Sequence, residues 1–266
     1  MNTKKPVTAA TLLRAKQRGE KTVWLTAYDA VSANIAETAG ADVLLVGDSM
    51  GNAILGFETT IPVTLDQMIH HTAAVVRGRS LVNGGAWVVC DLPFGSYQKS
   101  PEQAFDTSVR VLQQTGCDAV KLEGGVHMAE TIRFLSERGI AVVAHVGLTP
   151  QSVKKFGGYS KRATDAEGRT QLITDAKAVA EAGAVAIVLE NIPAELGAEV
   201  TDSLAIPTVG IGAGAGCDAQ VLVWNDLLGI SESNPPFAPA YANVRQVMLD
   251  AIGRWADDVR NGAFPK

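Results

Sequence analysis

The sequence predicts an α/β protein in which eight parallel strands close into a (β/α)8 barrel. Short runs rich in β-branched residues alternate with longer amphipathic segments along the whole chain. That alternation predicts a parallel sheet with helical connections, and eight consecutive units favour closure over an open doubly wound sheet. The 266 residues suffice for one such barrel, and no low-complexity segment or change of composition marks a linker. We therefore expect a single domain over residues 1–266.

The predicted elements follow one another in a regular order. A leading helix near residues 8–18 opens the domain, and a helix over about 241–260 closes it. The short apolar runs predict strands at 23–27, 43–47, 87–90, 119–122, 141–145, 186–189, 207–211 and 221–225. The amphipathic segments predict helices near 30–39, 64–78, 101–115, 128–138, 167–182, 193–204 and 216–220. Ser100-Pro101 is typical of a helix start and Gly139 of a helix end.

Composition excludes several classes of protein. The net charge is −5 and the basic residues are scattered, so we expect no nucleic-acid partner. Cys90, Cys117 and Cys217 form no C-x-x-C pair, which argues against disulfides and thiolate zinc sites and fits a cytoplasmic location. The first twenty residues do not resemble a signal peptide. The apolar run 184–189 is far shorter than the roughly 18 residues of a membrane span, so we expect no membrane partner.

Polar residues end nearly every predicted strand. They are Asp29, Asp48, Asp91, Glu123, His145, Glu190 and Asp226. The active sites of such barrels are built at these strand ends. Residues two apart share a face of a strand, so Val89 and Trp87 form an apolar column beneath Asp91. The residues of this ring are therefore expected to face one shared mouth, although capping of the next helix explains any single one equally well.

Three of these carboxylates predict a metal site. Asp48, Asp91 and Glu123 end strands two, three and four, and neighbouring strands lie ~4.8 Å apart, so the three side chains can converge on one cation. Oxygen ligands without cysteine favour Mg²⁺ over Zn²⁺. Because Mg²⁺ usually keeps water or substrate oxygens, we expect two direct carboxylate ligands and a third that acts through water.

Other inward-facing groups have alternative interpretations. Lys121 is either a core ion pair or a clamp for an anionic substrate, and the nearby carboxylates argue against an unprotonated, Schiff-base-forming amine. Glu190, on strand six, lies across the barrel from strand two and suits a general base; the alternative is a helix cap. His145 is either a polar contact of the site or a hydrogen-bonded core histidine. The glycines of 210–214 suit phosphate binding or close packing.

Ten motifs, in order along residues 8–265, resemble the ketopantoate hydroxymethyltransferase (3-methyl-2-oxobutanoate hydroxymethyltransferase) family. They are TAYDAVSA (26–33), LLVGDSMGN (44–52), TTIPVTLDQMIHHTAAVVRG (59–78), DLPFGSY (91–97), AVKLEGG (119–125), HVGLTPQSV (145–153), FGGY (156–159), VLENIP (188–193), VGIGAG (209–214) and VLVWNDLLG (221–229). The resemblance implies a barrel of the phosphoenolpyruvate/pyruvate type. It also implies Mg²⁺-dependent one-carbon transfer from 5,10-methylenetetrahydrofolate to 3-methyl-2-oxobutanoate, giving 2-dehydropantoate in pantothenate biosynthesis.

The resemblance also implies residue roles. Asp48 and Asp91 are expected to bind the metal with Glu123 as the third carboxylate, and Glu190 to be the proton acceptor. The oxo acid is expected to contact Asp48, Ser49, Asp91 and Lys121. The family implies a homodecamer. Two segments depart from the family pattern: 160–168, which bears on closure of the mouth and on folate affinity, and 234–242, which bears on a C-terminal lid or subunit contact.

Two other functions are considered. One is a metal-dependent lyase that cleaves a C–C bond of an oxo acid. Such lyases commonly carry a reactive cysteine in a mobile loop, and segment 151–168 has none. The other is a non-catalytic binding or scaffold barrel, which the presence of Asp48, Asp91 and Glu190 disfavours. A scaffold is expected to be insensitive to EDTA.

Overall fold

The computed structural model describes residues 5–82 and 85–265. Within them, eight parallel strands form a closed barrel in sequence order, which confirms the predicted (β/α)8 fold. The strands are β1 (Thr22–Thr26), β2 (Val43–Val46), β3 (Trp87–Asp91), β4 (Ala119–Glu123), β5 (Val142–Gly147), β6 (Ala186–Glu190), β7 (Thr208–Ile211) and β8 (Ala219–Leu222).

Helices connect most of the strands, and many begin at a side-chain cap. The described helices are α1 (Ala9–Gln17), α2 (Ala30–Ala39), α3 (Met50–Ala53), α4 (Leu65–Ser80), α5 (Pro101–Thr115), α6 (Ala129–Ser136), α7 (Val153–Phe156), α8 (Ala166–Glu181), α9 (Ala194–Ser203), α10 (Trp224–Leu228) and α11 (Val244–Arg260). Short 3₁₀ turns at Val126–Met128 and Pro150–Ser152 precede α6 and α7. As predicted, α5 starts after Ser100, whose side chain accepts from the backbone N–H of Gln103.

The chain divides into two compact units, residues 1–221 and 222–266. The first contains α1 to α9 and the strands as far as Val221, and the second contains α10 and α11. The expectation of one domain over 1–266 therefore stays a prediction. In the part of the chain that the structure describes, no helix combines the length and hydropathy that crossing a membrane requires.

The barrel interior is an apolar core built from alternate strand residues. β2 and β3 pair with Val43 opposite Trp87 and Leu45 opposite Val89, and all four belong to one buried cluster. The same cluster includes Ala186 and Val188 of β6 and Val143 of β5, which alternate with other strand residues in the same way, and it extends to Leu12 of α1. Because the core fills the barrel, the polar strand ends above it are held in fixed positions.

The eighth strand is where the sequence prediction was wrong. A strand was expected at 221–225 after a helix at 216–220, whereas β8 is Ala219–Leu222 and α10 begins at Trp224. Asp226 therefore lies inside α10 rather than at a strand end, and Ser231 Oγ donates to its carboxylate at 3.0 Å. Asp29 is likewise not part of the ring: it is exposed and caps α2, accepting from Ser32 N at 2.7 Å.

Candidate active site

The carboxyl ends of the strands bring four acids and two bases together. Asp91, Glu123 and Glu190 are the last residues of β3, β4 and β6, and Asp48 follows β2 by two positions. Lys121 and His145 lie inside β4 and β5. Asp48, Asp91, Lys121, Glu123 and His145 are only 2–6% exposed. Ionisable side chains are rarely buried to this degree without a specific partner, so this cluster is the candidate active site.

Asp91 and Lys121 form a buried ion pair. They are register partners on β3 and β4, and Lys121 Nζ lies 2.7 Å from Asp91 Oδ1. The other carboxylate oxygen of Asp91 accepts from the backbone N–H of Asp48 at 3.1 Å. Burial lowers the pKa of Lys121, but the charges of Asp91, Glu123 and Asp48 more than offset this, so its pKa is raised overall. Lys121 is thus a fixed ammonium rather than a nucleophilic amine.

Asp48 and Glu123 are harder to ionise than ordinary carboxyl groups. Burial, followed by the charge of Asp91, raises the pKa of Asp48 to about 7. Burial, followed by the charge of Asp48, raises the pKa of Glu123 well above its usual range. One lysine therefore does not fully compensate the negative charge of the site.

The described carboxylates do not form a metal centre with three protein ligands. Across residues 5–82 and 85–265, no group of three His, Cys, Asp or Glu side chains is arranged to hold a metal ion. Each carboxylate instead has its own partner: Lys121 for Asp91, the Gln151 side chain for Asp48, and the Gln151 backbone N–H for Glu123. The predicted site, with Asp48 and Asp91 as direct ligands and Glu123 acting through water, stays a prediction.

His145 lies between two acids. Its Nδ1 is 3.6 Å from Glu123 Oε1, and its Nε2 is 3.2 Å from Glu190 Oε2. Neither nitrogen has a hydrogen-bond partner of adequate geometry among the described residues, and both of these contacts are with acids of the site. Burial, followed by the charge of Lys121, lowers the pKa of His145, which keeps the ring neutral at neutral pH.

Glu190 is the most accessible acid of the cluster. Its side chain is 16% exposed, against 4% for Asp91 and for Glu123. It does not cap the following helix, because α9 begins after Pro193 without a side-chain cap. A carboxylate at the edge of a buried site can exchange protons with a substrate, so its position suits the predicted base.

Three polar residues of the site were not given roles from the sequence. Gln151, in the turn after β5, bonds to Asp48 and to Glu123. Tyr97, in the loop after β3, bonds to Gln151 through its hydroxyl at 2.7 Å. Tyr28, after β1, shares a 2.9 Å hydrogen bond with the predicted substrate residue Ser49. All three lie in loops directly after strands, the one sequence signal that could have identified them.

Two further loops at these strand ends make specific contacts. A Cβ added at Gly214 would lie 2.5 Å from Ala194 Cβ, which supports close packing as the reason for the glycines of 210–214. The variant segment 160–168 is held next to the site: Arg162 N donates to Asn191 O at 2.9 Å, and Asn191 Nδ2 donates to Tyr159 O at 3.0 Å. This loop is thus anchored on the residue that follows Glu190.

The family model described as ketopantoate hydroxymethyltransferase matches residues 6–266. The chain belongs to this family. It is 50% identical to the 3-methyl-2-oxobutanoate hydroxymethyltransferase of Prosthecochloris aestuarii over 97% of this chain and 94% of the relative. It is 51% identical to the enzyme of that name from Synechocystis sp. over 98% of both chains.

A solved structure shows the same fold at much lower identity. The crystal structure of 2,3-dimethylmalate lyase, a member of the PEP mutase/isocitrate lyase superfamily, is 19% identical with a TM-score of 0.61, and the match covers 96% of this chain and 88% of that chain. This likeness supports the barrel type and nothing about the reaction. Membership of the ketopantoate hydroxymethyltransferase family rests on the matches to the family model and its named relatives, and it decides against the lyase and scaffold alternatives.

Proposed function

We propose that this chain transfers a hydroxymethyl group from 5,10-methylenetetrahydrofolate to 3-methyl-2-oxobutanoate, giving 2-dehydropantoate (ketopantoate) in pantothenate biosynthesis. Full-length membership of the hydroxymethyltransferase family is the observation that carries this assignment. The reaction needs a fixed positive charge for the oxo acid, a base for its C3 proton and stabilisation of charge on its keto oxygen. The buried cluster offers residues for each role.

The donor set of the site fits a divalent cation. Asp48, Asp91 and Glu123 are all buried, and Lys121 is the only buried ammonium that contacts them among the described residues. Asp48 and Asp91 are the proposed direct ligands, with Glu123 as the third carboxylate, acting through water. Mg²⁺ suits this all-oxygen set because it takes few protein ligands and keeps positions for water or substrate. When bound, Mg²⁺ supplies Lewis-acid polarisation of the keto group.

The oxo acid is proposed to bind against Asp48, Ser49, Asp91 and Lys121. The Lys121 ammonium neutralises the substrate carboxylate while remaining paired with Asp91 at 2.7 Å. The Ser49 hydroxyl is oriented by Tyr28, whose phenol oxygen lies 2.9 Å away. Both donors are fixed before substrate arrives, so little ordering is required on binding.

Glu190 is proposed to remove the C3 proton. The C3–H bond breaks, its electron pair moves into the enolate, and the proton passes to the carboxylate of Glu190. C3 then forms a bond to the methylene carbon of the folate, whose two C–N bonds break in turn. Water replaces the last folate nitrogen and supplies the hydroxyl oxygen, and the two nitrogens of the departing tetrahydrofolate take up one proton from Glu190 and one from that water. The Glu190 carboxylate lies beside the neutral ring of His145, with its Oε2 3.2 Å from Nε2.

Hydrogen exchange at C3 tests the base without the folate. In D₂O with Mg²⁺, we expect the parent protein to exchange the C3 proton of 3-methyl-2-oxobutanoate. Glu190→Gln should slow this exchange by at least ~100-fold, the usual contribution of a positioned base. Glu199→Gln is the matched control, because Glu199 is exposed on α9 and pairs with Arg169. Exchange by Glu190→Gln at the parent rate contradicts the assignment.

Metal dependence is tested on the complete reaction. Formation of 2-dehydropantoate from the two substrates should stop with EDTA and return when Mg²⁺ is added in excess. Unchanged activity after chelation contradicts the magnesium proposal and leaves the family reaction intact.

Assembly and location follow from the family as further proposals. We propose a homodecamer, and the apolar residues of α11 support burial in an assembly, since Val247, Ile252 and Trp255 are exposed and the helix has no buried residue. Sedimentation of the full chain tests this, and a monomer contradicts it. The cysteines are free and buried, which supports a reducing, cytoplasmic location.

A further inference from the structure

Gln151 connects two of the three carboxylates proposed for the metal site. Its side-chain Nε2 donates to Asp48 Oδ2 at 2.9 Å, and its backbone N–H donates to Glu123 Oε2 at 3.1 Å. It lies in the 3₁₀ turn Pro150–Ser152 after β5 and is 4% exposed. A neutral residue thus fixes two buried acids from a third strand end without adding charge to the site.

The orientation of the Gln151 amide is fixed by backbone groups at both ends of a hydrogen-bond chain. The Glu123 backbone N–H can only donate, and it donates to the Tyr97 hydroxyl oxygen at 3.0 Å. The Tyr97 proton is therefore directed to its nearest acceptor, Gln151 Oε1, at 2.7 Å. At the other end, the Leu92 carbonyl can only accept, and it accepts from Gln151 Nε2 at 2.9 Å. The NH₂ group, not the carbonyl oxygen, must therefore face Asp48.

Every hydrogen-bonding position of the Gln151 side chain is occupied. The two Nε2 hydrogens go to Asp48 and Leu92, and Oε1 accepts from Tyr97 and from Gln98 Nε2 at 3.0 Å. A fully satisfied buried amide is rigid, because any rotation would break several bonds at once. Oδ2 of Asp48 is thereby committed to Gln151, and its other oxygen, Oδ1, is the one proposed to meet a ligand.

We infer that Gln151 is a positioning residue for the metal site, holding Asp48 and Glu123 so that Oδ1 of Asp48 faces the cation and the oxo acid. This inference rests on the proposed function. Residues that orient metal ligands without touching the metal typically change metal affinity by about 10- to 100-fold when they are removed. Tyr97 contributes to the same positioning, because its hydroxyl group sets which end of the Gln151 amide faces Asp48.

The test measures metal affinity directly. Gln151→Met keeps the length of the side chain and removes its hydrogen bonds, and Mn²⁺ binding is followed by electron paramagnetic resonance or Mg²⁺ binding by calorimetry. We expect affinity to fall at least tenfold and the C3 exchange rate to fall at low Mg²⁺ and recover at high Mg²⁺. Tyr97→Phe should produce a smaller loss of the same kind. It also provides a second variant if Gln151→Met does not fold.

The matched control separates positioning from simple structural support. Gln103→Met makes the same substitution in a glutamine whose side chain, among the residues described, hydrogen-bonds only to the backbone of Gly95 and Lys99. Its melting temperature should fall, and its metal affinity should equal that of the parent. If Gln151→Met and Tyr97→Phe lower the melting temperature but bind metal within twofold of the parent, the inference is wrong. A parent protein that binds no divalent cation refutes the proposed metal site itself, before any variant is made.

Discussion

Removing the Lys121 ammonium should destabilise the protein strongly, because its positive charge stabilises three buried carboxylates. Lys121 pairs with Asp91 at 2.7 Å, and its charge also lowers the pKa of Asp48 and of Glu123. Lys121→Met keeps the apolar stem and removes only the charge and its hydrogen bonds. Breaking a buried ion pair on one side typically costs about 3–5 kcal/mol. For a chain of this size, that loss corresponds to a fall in melting temperature of about 10 °C.

The destabilisation by Lys121→Met should grow as the pH rises. Burial raises the pKa of Asp48 and of Glu123 in the folded protein, whereas the same groups titrate near pH 4 when unfolded. Between those values the folded state binds more protons than the unfolded state, so its free energy of unfolding decreases with rising pH. Without Lys121 the folded-state pKa values rise further, and the deficit against the parent should be larger at pH 8 than at pH 5.

Urea denaturation at pH 5 and pH 8 measures this effect, and a double-mutant cycle with Asp91→Asn isolates the ion pair. The loss from Lys121→Met should be smaller by about 1–3 kcal/mol when Asp91 is already neutral. Lys16→Met is the control, since Lys16 pairs with Asp218 at 2.8 Å but is 14% exposed and better screened. A loss below about 1 kcal/mol, or one that Asp91→Asn does not reduce, refutes this account of the buried charges.

Three further predictions concern the metal, the backbone and the substrate. Mg²⁺ affinity measured by calorimetry should rise from pH 6 to pH 8. Burial raises the pKa of Asp48 to about 7, and its carboxyl group must lose its proton to bind the metal. An affinity that does not change with pH contradicts this prediction. Gly147→Ala should lower both the melting temperature and C3 exchange, because its Cβ would lie 2.4 Å from the backbone oxygen of the proposed base. Gly139→Ala, with a similar positive φ and open space, should affect stability only, and equal exchange in both contradicts the reasoning. Tyr28→Phe should raise the KM for the oxo acid about 3- to 10-fold through loss of the bond to Ser49, and an unchanged KM contradicts that role.

The barrel was predictable because each strand is a separate apolar run with a turn after it. The exception at β8 has a physical cause. Residues 221–224 are Val, Leu, Val and Trp, and no turn residue marks where the strand stops and α10 starts. Pairing with β7, which places Ala219 opposite Val209, decides the register, and that contact is not visible in the local sequence.

The sequence predicts a residue of the candidate site reliably only where the type and position of that residue have a single good explanation. Asp29 was assigned to the ring although Ser32 follows three positions later, and that spacing forms the capping box seen at α2. Apart from their place in loops after strands, Gln151 and Tyr97 had no sequence feature that showed their role, because their partners are distant in sequence. Gln151 lies 103 residues from Asp48, and the hydroxyl of Tyr97 meets it across 54 residues. The closed barrel decides which polar side chains meet, and the local sequence around each residue does not.

The charges of the site connect its stability to its proposed chemistry. Asp48, Asp91 and Glu123 carry three negative charges when ionised, and Lys121 supplies one positive charge, while the neutral ring of His145 supplies none. The remaining deficit of two matches the charge of one Mg²⁺ ion, so a bound cation would neutralise groups that burial otherwise forces toward protonation. Glu190 is not counted in this balance; its charge also raises the pKa of Glu123, but its side chain reaches solvent at 16% exposure. Burial therefore favours a dication near Asp48 and Asp91, whereas Glu190, the proposed base, is the acid of the cluster with the most access to solvent.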